Sequence, residues 1–205
     1  MQKPSGLFSL FLVTWVGLFF SACNSIQLDP KHAVAHNNRG LDYQQQGQLE
    51  QAVVQYQQAI QLDPNYADAH NNLGAVHQQR GQLEKAIAQY QQAIQLDPKA
   101  AAAYNNLGNA YAKQGQLEQA VAQYQQAIQL DPKAAAVYNN LGLVYDEQGR
   151  LGQAVAQYQQ AIQLDPNYAV AYYNLGNAYA KQGQLGQAVV QYQQAIQLNL
   201  ENAKA

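Results

Sequence analysis

The feature that most constrains this chain is a period of 34 residues. Gly40, Gly74, Gly108, Gly142 and Gly176 fall on it, and so do Gly47, Gly81, Gly115, Gly149 and Gly183. Tyr56, Tyr90, Tyr124, Tyr158 and Tyr192 keep the same frame. Asp-Pro recurs at 63, 97, 131 and 165, with one further copy at 29. A fixed repeat in the range of roughly 20–50 residues marks units that cannot bury their apolar faces alone and must stack on their neighbours.

Each period contains two helical stripes. In 101–134, Tyr104, Leu107, Gly108 and Tyr111 fall at i, i+3, i+4 and i+7, one face of a helix. Gly115 ends that helix. Leu117, Ala120, Val121, Tyr124, Ala127 and Ile128 form a second stripe. It stops at Asp131, because a residue before proline is pushed out of the helical region. Gly108 and Ala120 are expected where the two helices cross, with Tyr111 and Tyr124 filling the space above and below. The spacing therefore predicts an all-α array of five helix-turn-helix units, at 33–66, 67–100, 101–134, 135–168 and 169–202, followed by a tail at 203–205.

These residues resemble the tetratricopeptide repeat (TPR) family. The third unit matches its pattern with Tyr104, Leu107, Gly108, Tyr111, Ala120, Tyr124, Ala127 and Pro132. The fourth matches with Tyr138, Leu141, Gly142, Tyr145, Ala154, Tyr158, Ala161 and Pro166. The fifth keeps the pattern except that Leu200 replaces the proline. In the first two, His36, His70 and His77 take aromatic places and Arg39 takes a leucine place. The resemblance spans 33–202 and implies a right-handed α-solenoid whose first helices line a concave surface.

Composition narrows the function. Of 205 residues, 38 are Gln and 34 Ala, only 12% are charged, and the net charge is −2. With no cationic surplus to neutralise phosphates, nucleic acid is excluded as a partner. One cysteine cannot form an internal disulfide. No nucleophile–base grouping and no Gly-rich phosphate loop occurs, so the sequence predicts no catalytic residues, no cofactor and no enzyme activity. His70 and His77 share a helix face, but both stand at core-facing aromatic places. They read as packing residues, and no metal site is expected.

The first 32 residues follow another logic. A basic start, Met1 to Lys3, leads into the uncharged run Leu7 to Phe20, which ends in Phe20-Ser21-Ala22-Cys23. The run of 14 residues is shorter than the ~20 needed to cross a bilayer. The segment 1–22 looks like a bacterial lipoprotein signal, with Cys23 as the lipidated new N-terminus. An uncleaved anchor reaching from Pro4 to Cys23, or a buried first helix, is the alternative. The resemblance implies the bacterial envelope, with the lipid in a membrane and the chain facing the periplasm. Asn24 favours the outer membrane. Residues 25–30 copy 59–64, so 23–32 is expected to be a tether carrying the remnant of an earlier unit.

Asparagine is concentrated on the first helices, opposite their core stripe. Asn38, Asn72, Asn106, Asn140 and Asn174 lie one period apart, joined by Asn105, Asn109 and Asn177. Asn costs a helix about 0.6 kcal/mol relative to Ala, so its placement needs a reason. One reason is a groove ladder. An amide offers donor and acceptor together and can pair with the backbone of an extended peptide. Five rungs about 10 Å apart span about 40 Å, a match for about a dozen extended residues. The other reason is a framework role, since Asn belongs to the general family pattern. Lys113 and Lys181 lie on the same stripe and read as solvated helix ends. Two functions follow. The first is a non-catalytic adaptor that binds a protein or peptide segment in the concave groove while a lipid tethers it to a membrane, as in TPR lipoproteins of envelope assembly. The second is a self-associating scaffold, a homo-oligomer formed by end-to-end stacking, because the last unit leaves an apolar stripe at Val189, Tyr192, Ala195 and Ile196.

Overall fold

A computed structural model describes residues 29–202 of the chain. The signal segment, Cys23 and the tail 203–205 lie outside the described residues. Among those residues there are ten helices and no strand. They run in pairs: α1 (Pro30–Gln45) with α2 (Leu49–Leu62), α3 (Ala67–Gln79) with α4 (Leu83–Leu96), α5 (Ala101–Lys113) with α6 (Leu117–Leu130), α7 (Ala135–Glu147) with α8 (Leu151–Leu164), and α9 (Ala169–Lys181) with α10 (Leu185–Asn202). The all-helical solenoid expected from the period is the fold observed.

The turn inside each hairpin is built by glycine. Gly115 has φ of 74°, in the left-handed region that other residues avoid. There the Gln116 N–H reaches back to the Tyr111 carbonyl at 2.9 Å and the Gly115 N–H to the Ala112 carbonyl at 2.9 Å. These are the two bonds of a Schellman motif, which satisfy carbonyls left open at the helix end. The four equivalent glycines have φ between 71° and 77°.

The link between hairpins is built by Asp-Pro. Asp63, at φ −141° and ψ 93°, is extended and ends α2. Its side chain then accepts the Asn65 N–H at 3.0 Å, closing a turn that aims the chain into α3. Asp97, Asp131 and Asp165 repeat this bond. Asp29 behaves differently. It accepts the His32 N–H at 3.1 Å and caps a helix that starts at once with Pro30. The first helix therefore begins three residues ahead of 33, and residues 30–32 form its first turn rather than the end of a tether. Proline suits a first-turn position, where its missing N–H is not needed.

Packing within a hairpin rests on one glycine and one tyrosine. A Cβ on Gly108 would lie 2.7 Å from Cε1 of Tyr124. The same approach is 2.5 Å for Gly40 on Tyr56 and 2.6 Å for Gly176 on Tyr192. Tyr124 therefore does not flank the crossing; its ring lies on the glycine and is the crossing. Buried Ala86, Ala120 and Ala154 keep the second helix close. The second helices of the first four hairpins, α2, α4, α6 and α8, also pack against the first helix of the next hairpin. Gln91 and Gln159 donate across that joint to the hydroxyls of Tyr111 and Tyr179, at 3.1 and 3.0 Å.

Candidate binding groove

First helices of neighbouring hairpins touch one another, whereas neighbouring second helices do not. The array therefore curves with α1, α3, α5, α7 and α9 on its inner side, and the asparagine stripe lies on these helices.

The inner helices are joined by the asparagines themselves. Asn72 Nδ2 donates to Asn37 Oδ1 at 3.0 Å, Asn106 to Asn71 at 3.0 Å, Asn140 to Asn105 at 3.1 Å and Asn174 to Asn139 at 2.9 Å. Each bond joins residues 35 apart, the first Asn of an Asn-Asn pair to the residue one place further along in the next hairpin. Asn37 and Asn139 are almost wholly buried, at 4% and 2% exposure, which a polar side chain tolerates only when bonded. Asn38, the first member of its row, is exposed. The ladder is thus a staple between hairpins. It uses one N–H from each of Asn72, Asn106 and Asn174, while Asn140 donates a second bond to Asn109, and Oδ1 of Asn72, Asn106, Asn140 and Asn174 accepts nothing from the described residues.

Asn109 and Asn177 have a second task. Asn109 Oδ1 accepts from the Tyr124 hydroxyl at 2.7 Å and from Asn140 at 3.2 Å, and Asn177 Oδ1 accepts from Tyr192 at 2.8 Å. They anchor the tyrosines that fill the hairpin crossings. In the first two hairpins Gln44 and Gln78 take this role for Tyr56 and Tyr90, at 2.8 and 3.3 Å. The fourth hairpin has neither group. Leu143 stands where Asn109 and Asn177 stand, and Asp146 stands where Gln78 stands. The Tyr158 hydroxyl and Asp146 Oδ1 are consequently buried without a hydrogen-bond partner among the described residues. Burial, and then the charge of Asp146, push the Tyr158 hydroxyl well above the usual phenol range. Asp146 Oδ2 binds Lys181 Nζ at 2.6 Å, so Lys181, an exposed residue at the end of α9, is also tied to the preceding hairpin.

Between the inner helices of hairpins two, three and four lies a cleft of about 290 Å³. Its walls include Gln78, Asn109, Asn140 and Leu143, with Lys113 and Glu147 at opposite signs beside them. Leu143 is 43% exposed. Of the asparagines singled out from sequence, this cleft brings together Asn109 and Asn140. Asn38, Asn72, Asn105, Asn106, Asn174 and Asn177 lie elsewhere along the inner helices. Sequence reasoning missed Leu143, Gln78 and Glu147 as groove residues. Leu143 carried a signal, because it breaks a row that holds Asn in the hairpins on either side.

His36, His70 and His77 fill aromatic places. His36 and His70 bond through Nδ1 to Gln55 and Gln89, each at 2.8 Å, and His77 bonds to Gln82 at 2.8 Å. Each is thus fixed by a glutamine.

Residues 22–205 match the model of a family described as the cilia and flagella-associated protein 70 C-terminal domain. No curated protein matches the chain. Among solved structures, MamA is 30% identical with a TM-score of 0.72, over 81% of this chain and 97% of that one. PilF of Pseudomonas aeruginosa is 29% identical with a TM-score of 0.77, over 82% of this chain and 76% of that one. YrrB, described as a TPR protein with an unusual peptide-binding site, is 24% identical with a TM-score of 0.64, over 84% and 92%. At that identity the likeness concerns the fold alone.

Proposed function

The chain belongs to the tetratricopeptide-repeat family, in the group described as the cilia and flagella-associated protein 70 C-terminal domain, and from that premise we propose that it is a non-catalytic adaptor holding a segment of a partner protein on its inner helices. The observation that carries this reading is the cleft around Leu143. It offers an apolar seat next to amides, with Lys113 and Glu147 beside it. A peptide laid there buries an apolar side chain on Leu143 and finds donors and acceptors in Asn109 and Asn140. The unused Oδ1 atoms of the staple extend the same amide surface along Asn72, Asn106 and Asn174. Charge contributes little, because the chain carries few charged residues and both signs meet at the cleft.

Tethering belongs to the same proposal. Among the described residues no helix is long and apolar enough to cross a membrane. A lipid on Cys23 would hold the array at the surface of a bacterial envelope membrane, facing the periplasm. Intact mass of the chain recovered from membranes tests this part. A mass lacking the lipid adduct, or retaining residues 1–22, removes it.

The groove is tested by affinity capture from native membranes with the wild-type chain and with Leu143→Glu. Leu143 donates no hydrogen bond and is partly exposed, so the substitution leaves the array folded. Proteins held by the wild type are expected to be lost from Leu143→Glu. Equal capture by both overturns the groove reading.

A further inference from the structure

Among the described residues, the two ends of the array differ in the side chains they expose. In the inner hairpins the second helix is covered by the first helix of the next hairpin. On α10 the same stripe is Leu185, Val189, Tyr192 and Ile196, at i, i+4, i+7 and i+11. Leu185 is 66%, Val189 52% and Ile196 59% exposed, whereas their counterparts Leu117, Val121 and Ile128 are half-buried. The stripe borders a cleft of about 530 Å³ that Val170 and Tyr173 complete. Tyr173 replaces the asparagine that accepts the staple in every earlier hairpin, and it rests on Tyr192 with ring centroids 5.8 Å apart. The terminal face has thus exchanged its amide for an aromatic ring.

What this kind of face holds is written four times in the molecule. α3, α5, α7 and α9 present a small or branched residue, then leucine four residues on, then a small or branched residue three further. In α5 these are Ala103, Leu107 and Ala110, and in α7 Val137, Leu141 and Val144, all buried. α1 breaks the pattern. Its matching places hold Ala35, Arg39 and Asp42, all exposed. Seating α1 of a second copy on α10 would put an arginine and an aspartate where leucine and a small residue belong, and burying charges there is costly. The first hairpin is a terminus by design of its side chains, and this opposes end-to-end stacking of identical chains.

We propose that the open face of α9 and α10 is a docking site for an amphipathic helix of a partner protein. That helix carries leucine at i+4 between small or β-branched residues at i and i+7, and an apolar residue in place of the staple asparagine where it meets Tyr173. It takes the place that the first helix of a further hairpin would occupy. The site lies at the end of the array, apart from the inner cleft, so two partners can be held at once.

The chain supplies its own probe. A labelled peptide of residues 135–147 carrying Asn140→Leu, cross-linked between positions 136 and 143 to hold it helical, is titrated against the full chain by fluorescence anisotropy. Saturable binding is expected, weakened about tenfold or more by Ile196→Glu in the chain, since a carboxylate would be buried against apolar groups. The same peptide carrying Leu141→Glu is expected not to bind, and a peptide of residues 30–45, which has Arg39 and Asp42 in the stripe, likewise. Leu143→Glu in the chain leaves peptide binding unchanged, which separates this site from the groove. Binding that ignores Ile196→Glu, or equal binding of the 30–45 peptide, overturns the proposal. So does a concentration-dependent dimer of the chain abolished by Ile196→Glu, because a second copy would then be the occupant.

Discussion

Gly108→Ala tests the packing at the heart of each hairpin. In the middle of a helix alanine is favoured over glycine by about 1 kcal/mol, so propensity alone predicts a more stable protein. The structure predicts the opposite. The new methyl would stand 2.7 Å from Cε1 and 2.9 Å from Cδ1 of Tyr124. That ring is 2% exposed, and its hydroxyl is fixed to Asn109 at 2.7 Å, so it cannot swing aside without breaking that bond. Overpacking of this kind costs about 1–3 kcal/mol, and a lost buried hydrogen bond about 1 kcal/mol more. Set against the propensity gain, the net loss is about 1–3 kcal/mol, a fall in Tm of roughly 2–12 °C for a chain of this size. Gly152→Ala is the control, because a Cβ there meets nothing within 4 Å and the residue is also helical. It is expected to match or exceed wild-type stability. Circular dichroism melts of both variants decide the matter, and Tyr124→Leu should remove the penalty of Gly108→Ala in a double-mutant cycle. A Gly108→Ala protein as stable as wild type would refute the reasoning.

Three further predictions follow from single side chains. Tyr124→Phe loses the bond to Asn109 and is expected to destabilise the array by about 1 kcal/mol, whereas Tyr158→Phe removes a buried hydroxyl with no partner and is expected to be neutral or stabilising by melt. Asn139→Ala leaves the Asn174 amide without its acceptor at a buried joint, so a loss of about 1–2 kcal/mol is expected in urea unfolding. Burial raises the Tyr56 hydroxyl pKa to about 12 and lifts those of Tyr90, Tyr124 and Tyr158 as well. Because the folded pKa exceeds the unfolded value of about 10, this stability is present in full below about pH 10 and is lost as pH climbs through the folded values. Melts should therefore be insensitive to these groups near neutrality and fall steeply above about pH 10, with the phenolate absorbance of these four buried tyrosines appearing only as the protein unfolds.

The hairpins were legible in the sequence because their determinants are local. Gly115, the Asp131-Pro132 pair and the stripe from Leu117 to Ile128 act within one period, and each does what its spacing implies. The role of the asparagines was not legible. Whether Asn106 faces a ligand or Asn71 depends on the rotation between successive hairpins, which no spacing within one repeat encodes. The same rotation brings Lys181 to Asp146, a pair 35 residues apart that sequence reasoning left unpaired. The start of α1 at Pro30 was missed for a different reason. Asp-Pro ends a helix when one precedes it, as at Asp63, but Asp29 caps the helix that follows. The terminal face was half legible: Val189, Tyr192 and Ile196 read as an exposed apolar stripe, while the meaning of Arg39 and Asp42 at the other end emerged only beside their buried counterparts.

The central claim is that partners lie along the inner helices. It is tested most directly by placing a photo-crosslinking residue at Leu143, inside the cleft, and in a separate chain at Gln129, exposed on α6. Irradiation in native membranes followed by mass spectrometry is predicted to give discrete crosslinked partners from position 143 and none from position 129. Crosslinks from position 129 with none from position 143 would contradict the account.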